Sequence, residues 1–177
     1  MMKGLKEILV STDELQQKVK ELGAAISQDY EGKELVLIGI LKGGAVFMSD
    51  LMRVITLPVG IDYMSVSSYG ASATSSGVIT IKKDIDTDIR GKHVLLVEDL
   101  IDTGLTLQHL RELFLMREAA SVGICTILSK PSRRLIDVPI DYCGIDIPDE
   151  FVVGYGLDYA EQFRNLPEVW VVATGEG

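Results

Sequence analysis

Three short, nearly continuous apolar runs constrain this chain more than any other feature: Leu35-Val-Leu-Ile-Gly-Ile-Leu41, Val94-Leu-Leu-Val97, and the stretch from Val122 to Leu128. A strand with one face in water alternates apolar and polar residues. Runs that are apolar throughout and rich in branched side chains predict strands buried on both faces, as in a parallel sheet. Parallel neighbours need crossover connections, and helical patterns lie where these are required. Ser11, with Glu14 three positions later, forms a capping-box signature, and Leu15, Val19, Leu22 and Ile26 follow at helical spacing to about Tyr30. Val46, Phe47, Leu51, Val54 and Ile55 mark the inner side of a second helix that stops before Pro58; Leu107, Leu110, Leu113, Phe114 and Met116 mark a third. Further strands are predicted at Val59 to Ser67 and Val78 to Ile81, with shorter pieces at Tyr142 to Ile147, Phe151 to Val153 and Val169 to Val172. The expected fold class is α/β, a mostly parallel twisted sheet flanked by helices.

The chain's 177 residues suit one domain with one substantial core. Its formal charge of -9, from 17 basic and 26 acidic residues, makes nucleic acid a poor partner, so any phosphate must be held by local devices. No apolar run approaches the roughly 18 residues of a membrane span, and the start lacks the long apolar region of a signal peptide. A cytoplasmic location without membrane contact is expected. Cys125 and Cys143 have no metal-ligand spacing and are expected to be buried, reduced thiols; His93 and His109 are expected at the surface.

In sheets of this kind ligands bind beyond the carboxyl ends of the strands. Three loops should share that edge: Lys42-Gly43-Gly44, Glu98 to Thr106, and the segment beginning Ser129-Lys130-Pro131. The second carries the most chemistry. Glu98 and Asp99 offer carboxylate oxygens suited to ribose hydroxyls or a hard cation, although adjacent strand residues point to opposite faces. Asp102-Thr103-Gly104-Leu105-Thr106 places hydroxyls and free amides at a helix N-terminus, an anion cradle without a lysine. The plainer alternative is that Asp102 and Thr103 only cap the helix. Neither G-x-x-x-x-G-K-[ST] nor G-x-G-x-x-G occurs, which disfavours a P-loop NTPase and a Rossmann dehydrogenase.

VLLVEDLIDTGLTL closely resembles the 5-phosphoribosyl-1-diphosphate motif of type I phosphoribosyltransferases. LKGGAVFMSDL resembles their diphosphate loop, ILSKPSRR their purine-recognition lysine segment, and IPDEFVVGYGLDYAEQFRNLPEV the hood of the hypoxanthine-guanine phosphoribosyltransferases, most nearly the bacterial members. The similarity runs over nearly the whole chain. It implies a core at about 30–135, a hood at about 140–177 joined by the N-terminal segment, and a mobile β-hairpin lid at 67–77. It implies Mg²⁺ as cofactor, a 6-oxopurine and 5-phosphoribosyl-1-diphosphate as substrates, and a homodimer or homotetramer.

By the same resemblance, Asp102 is the general base and Asp102, Thr103, Gly104, Leu105 and Thr106 bind the 5′-phosphate. Glu98 and Asp99 hold ribose hydroxyls or Mg²⁺, and Lys42, Gly43, Arg164, Ser68 and Tyr69 meet the diphosphate. Lys130 recognises the purine 6-oxo group, Phe151 stacks on the ring, Val152 meets its edge, and Asp158 binds a second Mg²⁺. A cis peptide is expected at Leu41-Lys42. Arg133 and Arg134 read as exposed or interface charges. The implied activity is conversion of hypoxanthine or guanine to the 5′-mononucleotide. A xanthine- or guanine-preferring enzyme is one rival. The other is a non-catalytic sensor of phosphoribosyl diphosphate that binds nucleic acid, which should be basic and lack Asp102 or Lys130.

Overall fold

The computed structural model describes residues 4–68 and 79–173. In chain order its elements are β1 (Leu5–Val10), α1 (Thr12–Asp29), β2 (Leu35–Leu41), α2 (Gly44–Val54), β3 (Val59–Ser68), β4 (Ile79–Lys83), β5 (His93–Ile101), α3 (Leu105–Met116), β6 (Ser121–Ser129), β7 (Tyr142–Asp146), β8 (Val152–Val153) and β9 (Val169–Val172). The described strands form a six-stranded sheet, ordered β4-β3-β2-β5-β6-β7, and a three-stranded sheet, ordered β1-β9-β8. All pairings in the larger sheet are parallel except β3 with β4. The smaller sheet is antiparallel and joins the chain's start to its hood.

The apolar runs are strands because both of their faces are covered. Leu35, Leu37, Leu95, Val97, Cys125 and Ile127 point to one side, into a core shared with α1 and α2. Val36, Ile38, Ile40, Val94, Leu96 and Ile124 point to the other, against Leu107, Leu110 and Phe114 of α3. α1 begins as its sequence predicts: the Ser11 side chain accepts from the Glu14 amide at 3.2 Å, and the Glu14 carboxylate accepts from the Ser11 amide at 2.8 Å. The hood is tied to this layer by Tyr155, whose hydroxyl donates to Asp50 Oδ2 of α2 at 2.5 Å.

Strand order decides where a ligand can enter. From β2 the chain moves outward to β3 on one side, then crosses back to place β5 on the other. This reversal makes the β2/β5 boundary the switch point of the sheet, where the crossover connections leave in opposite directions and a crevice opens. Pairing between the two strands ends at Gly39 with Val97, while β2 stays paired with β3 as far as Leu41 and β5 with β6 as far as Ile101. The four residues of β5 from Glu98 onward therefore border the crevice.

Several expectations are corrected. Met116 is 75% exposed, on the side of α3 away from Leu107, Leu110 and Phe114, and Val46 faces outward at 36% exposure. Cys125 is buried, but Cys143 is exposed on β7, the edge strand of the sheet; both thiols are free. β5 runs to Ile101 rather than ending at Val97, so the paired carboxylates belong to the strand itself. His93 starts β5 at the end opposite the crevice; its Nδ1 lies 2.7 Å from Ser121 Oγ and its ring meets Tyr30 edge-on. β7, within the span expected for the hood, pairs with β6 in the larger sheet. The sequence pattern predicts no strand within residues 1–10, yet β1 forms an edge of the smaller sheet. The tip of the expected lid, including Tyr69, lies outside the described residues; its two arms meet as β3 and β4, with Ser68 opposite Ile79.

Leu96 is fully buried in the central strand. Leu96→Ala is expected to lower unfolding free energy in urea by about 2–5 kcal/mol, whereas Met116→Ala should stay within about 0.5 kcal/mol of the parent.

Candidate active site

The crevice holds a cavity of about 280 Å³ whose walls include Gly43 from the loop after β2, Glu98 and Asp99 from β5, Asp102 to Gly104 and Thr106 from the loop into α3, and Arg164 from the hood. Lys42, Leu105, Lys130, Phe151, Val152 and Asp158 lie outside that lining. The Leu41-Lys42 peptide is cis, as expected.

Asp99 packs directly over Gly43, in space that any Cβ at position 43 would take. Its Oδ1 accepts from the Leu100 amide at 2.7 Å, while Glu98 Oε1 accepts from the Asp99 amide at 3.1 Å. Withdrawal of Glu98 from water, and then the charge of Asp99 beside it, hold the Glu98 carboxyl well above the usual carboxylate range. Such a pair fits a divalent cation, whose charge removes the repulsion. Among the described residues no cluster of three or more His, Cys, Asp or Glu side chains could hold a metal. The donor set therefore matches an ion held by one or two carboxylates together with ligand oxygens, the usual way Mg²⁺ binds.

The loop into α3 is built for an anion. Gly104 has φ +87°, a left-handed conformation, and a side chain there would run into Val138. This turn places the amides of the first helical turn ahead of the first intrahelical bond, from Gln108 N to Gly104 O. The capping alternative is not what the structure holds. Gly104 is the N-cap and has no side-chain cap bond; Thr103 Oγ1 reaches only the Leu105 amide, at 3.4 Å. Asp102 instead accepts from Arg133 Nε at 2.6 Å. Arg134 donates to the Asp102 carbonyl and to Ser129 Oγ, each at 2.8 Å. Arg133 is exposed, as expected, but paired with Asp102, and Arg134 is only partly exposed.

Lys130 is buried, at 7% exposure, and its amide donates to Ile101 O at 3.0 Å, tying the end of β6 to the end of β5. Its ammonium is 3.8 Å from Asp149, which Arg133 also approaches at 3.6 Å. Phe151 is 42% exposed, with Tyr159 edge-on at 5.6 Å, and Val152 is buried in β8. Asp158 pairs with Arg164 at 3.2 Å. Arg164 also donates to Gly156 O at 2.8 Å, yet its Nε is buried with no partner among the described residues. An orphaned donor beside the cavity is what an absent acceptor leaves behind.

Sequence reasoning missed two acids, Asp149 beside Lys130 and Glu161 beside Lys42 and Arg164. Their positions two before Phe151 and three after Asp158 carry no motif of their own, since Lys130 and Lys42 are distant from them in sequence and only Arg164, three residues after Glu161, is a local partner.

Comparison with known proteins agrees with this geometry. The model of the phosphoribosyl transferase domain matches residues 9–160, and the chain belongs to that family. Within it, the chain is 52% identical over 168 residues to the hypoxanthine-guanine phosphoribosyltransferase of Streptococcus pneumoniae (strain ATCC BAA-255 / R6), covering 95% of this chain and 93% of that protein. It is 48% identical over 179 residues to the hypoxanthine phosphoribosyltransferase of Haemophilus influenzae, covering 99% of this chain and all of that one. The crystal structure of a hypoxanthine phosphoribosyltransferase from Staphylococcus aureus superposes with a TM-score of 0.93 at 47% identity, covering 98% of this chain and 97% of that one. The fold is that of the type I phosphoribosyltransferases.

The hood closes on the crevice at Gly156, whose φ is +99° and where a Cβ would strike the Gly43 carbonyl. Gly91 has a similar φ of +73° but nothing within 4 Å of its Cβ position. Gly91→Ala should cost about 1–2 kcal/mol from backbone strain alone, and Gly156→Ala more than that, read by denaturant unfolding.

Proposed function

We infer that this chain is a purine-salvage enzyme that transfers the 5-phosphoribosyl group from 5-phosphoribosyl-1-diphosphate to hypoxanthine or guanine, giving the 5′-mononucleotide and diphosphate. The observation that carries this reading is the switch-point cavity. One crevice combines a carboxylate pair, the anion cradle before α3 and an arginine with a buried donor that has no partner among the described residues.

In the reaction the bond from ribose C1′ to the diphosphate oxygen breaks as the bond to purine N9 forms, and the leaving diphosphate keeps the electron pair. Positive charge gathers on the ribose ring as in other glycosyl transfers. The cradle of Asp102 to Thr106 fixes the 5′-phosphate through amides and hydroxyls, so the ribose is anchored at one end. Glu98 and Asp99 accept from its hydroxyls. Lys42, the Gly43 amide and Arg164 receive the diphosphate, where developing negative charge meets cations and an amide already in place. Asp102, on the loop between the two substrates, takes the N7 proton that the purine must lose as N9 is substituted.

Lys130 donates to the 6-oxo group of the purine. An ammonium has donors only, so adenine's 6-amino group leaves it unsatisfied, and such mismatches at a buried polar group discriminate by orders of magnitude. Burial of Lys130 beneath the strand ends supports this role, because a buried ammonium wants an acceptor. Phe151 stacks on the ring from the exposed side of the hood, and the Val152 backbone meets its edge. Magnesium would be held at two places, by Glu98 and Asp99 beside the ribose hydroxyls and, as a second ion, by Asp158 beside the diphosphate, with substrate oxygens completing each set, and would supply positive charge there. The location consistent with this activity is the cytoplasm; among the described residues no helix is long and apolar enough to cross a membrane.

The test is incubation with donor, Mg²⁺ and each of hypoxanthine, guanine, xanthine and adenine, following mononucleotide by absorbance or chromatography. Hypoxanthine and guanine are expected to react and adenine to fail. Absence of product from all four rejects the reading, and product from xanthine or guanine alone changes the base. Asp102→Asn should reduce kcat about 10²- to 10⁴-fold while donor binding changes only a few-fold; unchanged kcat removes Asp102 as base. Lys130→Met should erode the preference for 6-oxopurines over adenine, measured as a ratio of kcat/KM values.

A further inference from the structure

We propose that Glu161 is an internal stand-in for diphosphate, a carboxylate of the hood that occupies the two cations of the leaving-group site and must be displaced when diphosphate or the donor binds. The proposal rests on the assignment of Lys42 and Arg164 to the diphosphate made above.

Glu161 uses both of its oxygens, one for each cation. Oε2 lies 2.6 Å from Lys42 Nζ, and Oε1 lies 3.1 Å from Arg164 Nη2. Lys42 comes from the loop after β2 and Arg164 from the hood, so a single anionic group bridges parts of the chain that a bound diphosphate would also bridge. The bridge is aimed rather than incidental. Ala160, Glu161 and Phe163 all have positive φ, at 50°, 63° and 76°, so the backbone of this turn is held in a conformation that non-glycine residues rarely adopt. It is held there partly by Asp158, whose Oδ2 accepts from the Glu161 amide at 2.9 Å, and by the antiparallel bridge between Tyr159 and Gln162.

Magnitude separates a stand-in from a lock. The Lys42 and Glu161 side chains are 67% and 62% exposed, and exposed ion pairs are weak and screened by salt. A diphosphate brings more charge and more oxygens, and its Mg²⁺ adds to the contest, so it displaces one carboxylate readily. The carboxylate nevertheless lowers net affinity for the ligand, because contacts to it must be lost first. It also offers the cations a partner at the moment diphosphate leaves, which favours product departure over retention.

Binding of Mg²⁺-diphosphate and, separately, of the mononucleotide product inosine 5′-monophosphate to the full chain distinguishes the possibilities by calorimetry. Glu161→Gln should bind diphosphate about two- to fivefold more tightly than the parent at low salt, the size expected for loss of an exposed ion pair. The gain should shrink at 0.5 M salt, and affinity for the mononucleotide should stay the same, since its phosphate belongs at the cradle before α3. Glu161→Gly, which suits the positive φ, should give the same result if the glutamine side chain disturbs the turn. Diphosphate affinity that is unchanged or weaker in both variants overturns the proposal. Equal tightening of both ligands does so too, because it signals a general change in the site. A parent chain that binds neither ligand overturns the functional reading and this inference with it; a parent that binds both confines any failure to Glu161.

Discussion

Everything in this structure follows from the place where β2 and β5 stop pairing. Both strands are apolar on both faces and so must sit between helices, which fixes a parallel sheet with helical crossovers. The reversal of strand order between them separates the crossovers, and pairing ends at Gly39 with Val97 while each strand continues beside its other neighbour. The gap exposes Glu98 and Asp99 on a strand end that is otherwise core. Glycines then let the flanking loops close in. Gly43 admits Asp99, Gly104 turns the chain into α3, and Gly156 lets the hood rest on the Gly43 carbonyl.

The electrostatics answer a difficulty posed by composition. On the proposed function, a chain of net charge -9 has to hold multiply charged anions. The cations assigned to or near that site are each matched to an acid: Arg133 to Asp102, Arg164 to Asp158 and Glu161, Lys42 to Glu161, and Lys130 to Asp149. The pairs keep the cations in place before a ligand arrives. They also mean that binding exchanges one set of charge contacts for another, so a ligand's affinity reflects the difference between the two sets. Glu98 is the opposite case, an acid whose nearest charge is another acid, and that is where a cation suits the site.

The fold was largely legible because its signals are local. The capping box at Ser11 and Glu14 forms as read, and the three apolar runs are three adjacent interior strands, β2, β5 and β6. The misreadings are also physical. Val46 and Met116 are apolar residues of helices, yet a helix packs only where a partner lies beneath it, and both stand off the buried faces of α2 and α3. Cys143 stands in an apolar segment that proves to be an edge strand. β1 was missed because its burial depends on β9, more than 150 residues away in sequence by their register of Leu5 with Val172.

The sequence by itself determined most of the elements, the α/β class, the sheet edge at which the cavity opens and, through its resemblance to a family, the residues to examine. Those properties depend on side-chain periodicity and short motifs, which are written within a few residues of one another. Only the tertiary structure decided how the charges pair. That Arg133 and Arg134 meet Asp102 was not written in their neighbourhood, Glu161 had no signal at all, and whether Asp102 capped a helix depended on the conformation of Gly104. A charge has no period and chooses its partner by distance in space, which the order of residues along the chain does not contain.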